Sequence, residues 1–270
     1  MSDAREVPTI RLEREPRIPG APGRVATLWL DRPPLNVLDL AALESLDATL
    51  AAVQEDPDLR DLQMLFVRGA GDRAFSAGVA VEDHVPERVG AMLDTFHGAL
   101  ARLGELPAVT VAAVGGWCLG GGMELAMACD LRVATGAARF GQPEIDVGCY
   151  PPFAAALYPR CMPPGLAAEL ILTGRHLSAE QAERAGLLSW GVTDEDLDAK
   201  IEQVALELTA KSPAVTALTV KALRAARRLP FDRALAESER IYKEELAQTA
   251  DLREGIEAFL DKRPPRWQGR

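Results

Sequence analysis

The chain has 270 residues, 48% hydrophobic and 26% charged, and its 40 acidic against 30 basic residues give a net charge of −10. That is the composition of a soluble globular protein with enough chain for a sizeable core. The acidic balance argues against a nucleic-acid-binding surface, which needs a basic excess. It leaves room for a small anionic ligand held by a few local cations.

The opening stretch "MSDAREVPTIRLEREP" is charged and has no apolar core, so it does not read as a secretory signal. The longest uncharged run, Leu106 to Met123, is long enough to suggest a membrane span. Pro107 and the glycines at 115, 116, 120, 121 and 122 interrupt it and Glu124 closes it, so that reading fails. Cys118, Cys129, Cys149 and Cys161 have neither CxxC nor zinc spacing and are expected to be reduced and structural. His84, His97 and His176 are scattered without HxxxH or HExxH spacing, so no metal site is expected. The expectation is a cytoplasmic protein with no membrane and no nucleic-acid partner.

In chain order, "RVATLWL" (24–30) has the β-branched, apolar character of a strand, ended by "DRPPLN". A helix is predicted from about Ala41 to Val53, then a buried strand over 61–67 and a glycine-punctuated loop over 69–78. From Pro86 to Leu106, Val89, Met92, Leu93, Phe96, Leu100 and Leu103 recur at helical spacing. "VTVAAV" (109–114) reads as another buried strand. This alternation predicts an α/β core. Further on, Ser178 with Gln181 forms a capping-box signature and Gly186 a stop; Ser212-Pro213 starts another helix. Helical patterns then cover about Asp232–Ala247 and Leu252–Lys262. The organisation predicted is a core over residues 1–200 and a helical C-terminal segment over 201–270.

Two loops carry glycine directly after strands: "FSAGVA" (75–80) and "CLGGGME" (118–124). Without a side chain, a glycine lets a ligand carbonyl reach backbone N–H groups. Those at a helix start are unpaired and favour negative charge. Two such donors on one oxygen make an oxyanion hole. Glycine alone fits a tight strand-to-helix turn equally well, and a phosphate loop is disfavoured because no GKS or GKT follows. Glu124 falls in the first turn of the helix after the glycines, where an acid also complements the helix dipole. Glu144 follows in "FGQPEIDVG". Two glutamates beside one oxyanion hole would handle a water and a proton as base and acid; spacing does not show that they meet.

"RAFSAGVAVEDH", "GGWCLGGGMELAMACDLRVA", "ARFGQPEIDVG", "LILTGRHLSAEQAERAGLL" and "EGIEAFLDKRPPRW" follow one another in the order and spacing of the crotonase (enoyl-CoA hydratase/isomerase) superfamily, from about Arg24 to Trp267. The resemblance implies a spiral of β-β-α units with C-terminal helices that build a trimer, often stacked into a hexamer. It implies an acyl-coenzyme A substrate and no separate cofactor, coenzyme A being part of that substrate. It places the oxyanion hole on the backbone N–H groups of Val79 and Gly121, and the two hydratase acids on Glu124 and Glu144. It assigns coenzyme A contacts to Pro33 and Leu35 of "DRPPLN", to Ala77, and to Phe259 and Lys262 of a neighbouring subunit. Lysine in a helix's last turn is otherwise simply solvated.

There are departures from the family pattern. Where common members carry a glycine-rich segment after the second acid, this chain has "GCYPPFAAALYPR" (148–160), and Ala80 replaces an aspartate. The Pro-Pro segment is similar to that of the cyclohexa-1,5-diene-1-carbonyl-CoA hydratases. It implies an acyl pocket walled by Trp117, Tyr150, Pro152 and Phe153, although a buried aromatic equally belongs to the core. The leading expectation is a hydratase of a conjugated enoyl or dienoyl thioester. Its rivals are a general short-chain hydratase, an isomerase, and a non-catalytic CoA- or RNA-binding member of the fold.

Overall fold

The computed structural model describes residues 9–14, 24–56, 59 and 61–270. Two strands lead. β1 (Ile10–Arg14) pairs antiparallel with β2 (Val25–Leu30). The Asp39 side chain caps α1 (Leu40–Glu55) by accepting the Ala42 amide at 2.9 Å.

Then a unit repeats: a strand in a large sheet, a strand in a small sheet, and a helix. β3 (Met64–Gly69), β4 (Ala74–Ser76) and α2 (Val89–Leu103) form the first turn. β5 (Val109–Val114), β6 (Trp117–Leu119) and α3 (Gly121–Ala128) form the second. β7 (Leu131–Thr135), β8 (Arg139–Gly141) and α4 (Pro152–Cys161) form the third, with a 3-10 turn, Pro143–Val147, ahead of α4. After α5 (Pro164–Thr173), β9 (His176–Ser178) closes the small sheet, antiparallel to β8. α6 (Ala179–Arg184) and β10 (Trp190–Val192) complete the core, β10 parallel to β7. The large sheet runs β1-β2-β3-β5-β7-β10 and the small one β4-β6-β8-β9. This is the expected β-β-α spiral.

The parallel strands are apolar because helices cover both faces. All six residues of β5 are buried. Leu65 and Val67 of β3 point toward α1 and α2, packing with Leu43, Leu46, Phe96 and Leu100. Met64 and Phe66 point the other way, toward Ile201, Val204 and Ala205 of α7 (Leu197–Thr209) and Val220 of α8 (Pro213–Arg228). The boundary expected at residue 200 therefore falls inside α7, a helix that covers one face of the sheet.

The uncharged run from Leu106 to Met123 resolves into β5, β6 and the start of α3. Among the described residues no helix is long and apolar enough to cross a membrane. Three helix boundaries differ from expectation. α2 is shorter at both ends. The stretch expected as one helix over 232–247 is α9 (Phe231–Arg240), a π turn over Ile241–Glu245 and a 3-10 turn over Leu246–Gln248. The last helix, α10, spans Ala250–Leu260.

α8 is clasped to the core by one side chain. Arg224 donates through Nε to Asp130 Oδ1 at 2.9 Å and through its other nitrogens to the carbonyls of Leu106 and Ala108, at 2.5 and 2.9 Å. Asp130 in turn accepts from the Thr110 amide at 2.9 Å. The charge is matched and the donors are satisfied, the condition under which a buried ion pair is tolerated. α10 is tied down by Asp251, 1% exposed, which accepts from Ser212 Oγ at 2.5 Å and from the amides of Gln268 and Gly269 at 2.6 and 3.0 Å.

Candidate functional site

β4 and β6 lie side by side in the small sheet and each runs into a glycine loop. The first loop is strung along residues 35–38. The Ala77 amide donates to Leu35 O at 2.8 Å, the Leu38 amide to Gly78 O at 2.9 Å, and the Ala80 amide to Leu38 O at 3.0 Å. In extended chain, successive amides face opposite sides. Val79, between two residues bonded to that segment, therefore turns its N–H away from it, and it meets no acceptor among the described residues. Gly121 is the first residue of α3, where an amide has no intrahelical partner, and among the described residues it too donates to nothing.

The two loops meet backbone to backbone. A Cβ on Gly78 would lie 3.3 Å from Gly121 N, one on Gly121 would lie 2.8 Å from Val79 Cγ2, and one on Gly122 would lie 2.5 Å from Ser76 O. Gly78 and Gly120 have φ of +102° and +52°, a region that side-chain-bearing residues avoid. The buried Ser76 hydroxyl donates to Asn36 O at 2.8 Å and accepts the Gly78 amide at 3.1 Å. Asn36, fully buried at φ +51°, donates to Ala70 O and Ala74 O at 2.9 and 2.8 Å.

Beside the loops is a cavity of about 390 Å³, lined among others by Ala77, Val79, Gly121, Glu144, Tyr150 and Pro152. Glu144 sits in the 3-10 turn after β8, and a Cβ on Gly120 would come 2.8 Å from its Oε1. Its Oε2 is buried without a partner among the described residues. Burial pushes the Glu144 carboxyl up to about 7. Glu124, in the first turn of α3, is 4% exposed and is not among the residues that line the cavity. Its Oε1 accepts the Ala154 amide at 2.7 Å, a donor in the first turn of α4. Burial pushes the Glu124 carboxyl up to about 8; the Ala154 bond opposes this, and the nearby Glu144 charge adds to it. The Glu144 charge thus reaches Glu124, a proximity that spacing alone left open.

The other residues expected at the site divide. Ala77, Tyr150 and Pro152 line the cavity. Pro33 and Leu35 lie on the segment that carries the first glycine loop, through the Leu35 carbonyl. Two aromatics belong elsewhere, which corrects their place in the acyl wall. Trp117 is 39% exposed and packs edge-on against His176, 5.4 Å between ring centres. Phe153, next along α4 from Pro152, turns to the opposite side and packs on His97 at 6.0 Å. Phe259, 83% exposed, and the exposed Lys262 do not line the cavity of their own chain.

Sequence reading missed Asn36 and Ser76, which hold the first loop. It also missed His84 and Cys149, both on the cavity wall. Gln142 and Tyr158 were missed as well: Gln142 Nε2 donates to the Tyr158 hydroxyl at 2.5 Å, both fully buried.

Residues 20–270 match the enoyl-CoA hydratase/isomerase family model. The chain belongs to that family. It is an enzyme of the enoyl-CoA hydratase type, a hydro-lyase. It is 32% identical to a cyclohexa-1,5-dienecarbonyl-CoA hydratase of Thauera aromatica, over the whole of both chains. It is also 32% identical to a crotonyl-CoA hydratase of Syntrophomonas wolfei, over 89% of this chain and 93% of that one. Among solved structures, an enoyl-CoA hydratase from Bacillus anthracis superposes with a TM-score of 0.87 at 29% identity, covering 97% of this chain and all of the other.

Both acids are raised, so the folded protein holds protons that the unfolded chain has released. The stability tied to those protons is fully present below the ordinary value of 4.5 and is lost as pH rises through about 7 to 8. Glu124→Gln removes one such group while keeping an oxygen for the Ala154 amide. Its melting temperature relative to wild type is therefore expected to climb between about pH 5 and about pH 8. A difference that stays flat across that range in calorimetric scans contradicts the burial argument.

Proposed function

We propose that this enzyme adds water across a conjugated enoyl- or dienoyl-coenzyme A thioester, without a separate cofactor. The observation that carries the reading is the pairing of two carboxyl groups, raised to about 8 and about 7, with two backbone amides that have no acceptor among the described residues. The thioester oxygen would sit on the Val79 and Gly121 amides, where negative charge accumulates as the oxygen of water bonds to the conjugated carbon. One carboxylate takes the proton that water loses, and the other carboxyl delivers a proton to the carbon that becomes saturated. The atoms of one water are thereby added, and the pair returns to a single shared proton. Donors already aimed at the developing oxyanion need no reorganisation, which is why such sites contribute several kcal/mol.

Glu144→Gln and Glu124→Gln are each expected to leave a folded protein and lower kcat by about 10²-fold or more, the scale of lost acid–base catalysis. The wild-type kcat/KM should form a bell in pH whose apparent limits belong to the pair rather than to either residue. Loss of the conjugated-thioester absorbance is the assay. Near-wild-type turnover in either variant contradicts the two-carboxyl mechanism.

For the acyl group we favour a compact ring. The cavity is small, and its wall at Tyr150, Pro151 and Pro152 is stiffened by proline, which fixes φ. The Thauera aromatica relative is named for a cyclic dienoyl thioester. Cyclohexa-1,5-diene-1-carbonyl-CoA is expected to exceed crotonyl-CoA in kcat/KM by at least about tenfold, or about 1.4 kcal/mol. Equal or better use of crotonyl-CoA points instead to a general short-chain hydratase, the chemistry named for the Syntrophomonas wolfei relative. The adenosine end of coenzyme A would meet Phe259 and Lys262 of a second copy in a trimer. The exposed Phe231, Ile256, Phe259 and Leu260 on the C-terminal helices support such an assembly.

A further inference from the structure

Behind the α4 turn that carries Pro152 lies a second cavity, of about 500 Å³, which the proposed reaction does not use. α2 and α4 separate the two. Met92 and Leu93 of α2 face the first cavity, while His97 and Leu100, one and two turns on, face the second. Pro152 faces the first; Phe153 and Leu157 face the second.

The second cavity is apolar within and cationic at its rim. Arg160, Arg224, Arg227 and Arg228 line it. Arg224 is matched by Asp130. The other three have no carboxylate partner among the described residues. Arg160 donates to the Arg227 and Arg228 carbonyls at 3.3 and 3.4 Å, and Arg227 to the Cys129 and Asp130 carbonyls at 3.4 Å each. The Arg228 guanidinium has no acceptor among the described residues. Three uncompensated guanidinium groups on one concave surface repel one another, in a chain whose net charge is −10. The same cavity is lined by His97, whose Nε2 is buried with no partner among the described residues.

We propose that this cavity binds a small organic anion with an apolar body, a carboxylate whose head is held by Arg160, Arg227 and Arg228 and whose tail lies on Phe153, Leu157 and Leu100. Guanidinium groups match a carboxylate in geometry as well as charge. The volume falls in the range of about 300–1,000 Å³ usual for small-molecule sites. An apolar floor is of no use to inorganic phosphate, and a neutral alcohol leaves the arginines unmatched. His97 Nε2 offers a further hydrogen-bonding group at the inner end.

The test is isothermal titration calorimetry with hexanoate, hexan-1-ol and inorganic phosphate as probes. It is run on wild type, on the double variant Arg160→Gln/Arg228→Gln, and on Arg227→Gln. Hexanoate is expected to bind wild type at least about tenfold more tightly than either other probe, about 1.4 kcal/mol. Each variant should lose most of that advantage, while turnover of crotonyl-CoA stays at the wild-type level. Phosphate binding as tightly as hexanoate overturns the amphipathic ligand. Hexanoate binding unchanged in the variants places it in the catalytic cavity and overturns the site. Absence of hexanoate binding, with an altered oligomeric mass in the variants, assigns the arginines to an interface between copies and overturns it as well.

Discussion

Two loops in this protein approach each other so closely that no side chain fits between them. A methyl on Gly122 would stand 2.5 Å from the Ser76 carbonyl oxygen, and one on Gly78 3.0 Å from that of Leu119. The contact forces glycine at these positions, and it leaves the amides of Val79 and Gly121 exposed to whatever occupies the cavity. The surrounding order serves this approach. Parallel β4 and β6 set the spacing, Ser76 and Asn36 pin the first loop, and the start of α3 fixes the second. The free amides follow from backbone geometry, so the nature of the Val79 side chain matters less than its place in the loop.

The second loop also decides where the acids go. Glu124 stands one turn into α3 and is carried inward by the same helix that presents Gly121. Burial favours its neutral form, and the Ala154 amide opposes this by stabilising the charged form. Glu144 keeps a buried oxygen without a partner among the described residues. The fold accepts the cost of two partly desolvated carboxyls and gains groups that exchange protons near neutrality, the range in which acid–base catalysis at physiological pH is most effective. A carboxylate in water near its usual value of about 4.3 is a poor acid at pH 7.

Much of this was legible in the sequence. "VTVAAV" could only be a buried strand, and Ser178 with Gln181 marked a helix start that the structure reproduces as a reciprocal capping box. The glycines of "CLGGGME" marked a close backbone approach, and the ordered phrases around them marked the family. β1 was not read, although Ile10 and Leu12 alternate with Arg11 and Glu13 as an edge strand's residues do. The π turn after α9 has no composition signal. Phe153 was misplaced because adjacent helical residues point about 100° apart: placing Pro152 at the cavity necessarily sends its neighbour elsewhere. Which side chains support the loops from a distance, as Asn36 does across 34 and 38 residues, is set by tertiary contacts alone.

One fold here carries two carboxyl groups that protonate near neutral pH and two amides that meet no acceptor among the described residues. Infrared difference titration of the resting enzyme tests the state of the carboxyls most directly, because a buried protonated carboxyl has a resolved C=O stretch. Two such bands are predicted to fade between about pH 6 and about pH 9, one missing in Glu124→Gln and the other in Glu144→Gln. Both acids fully ionised by about pH 6, with no band to lose, would contradict the account.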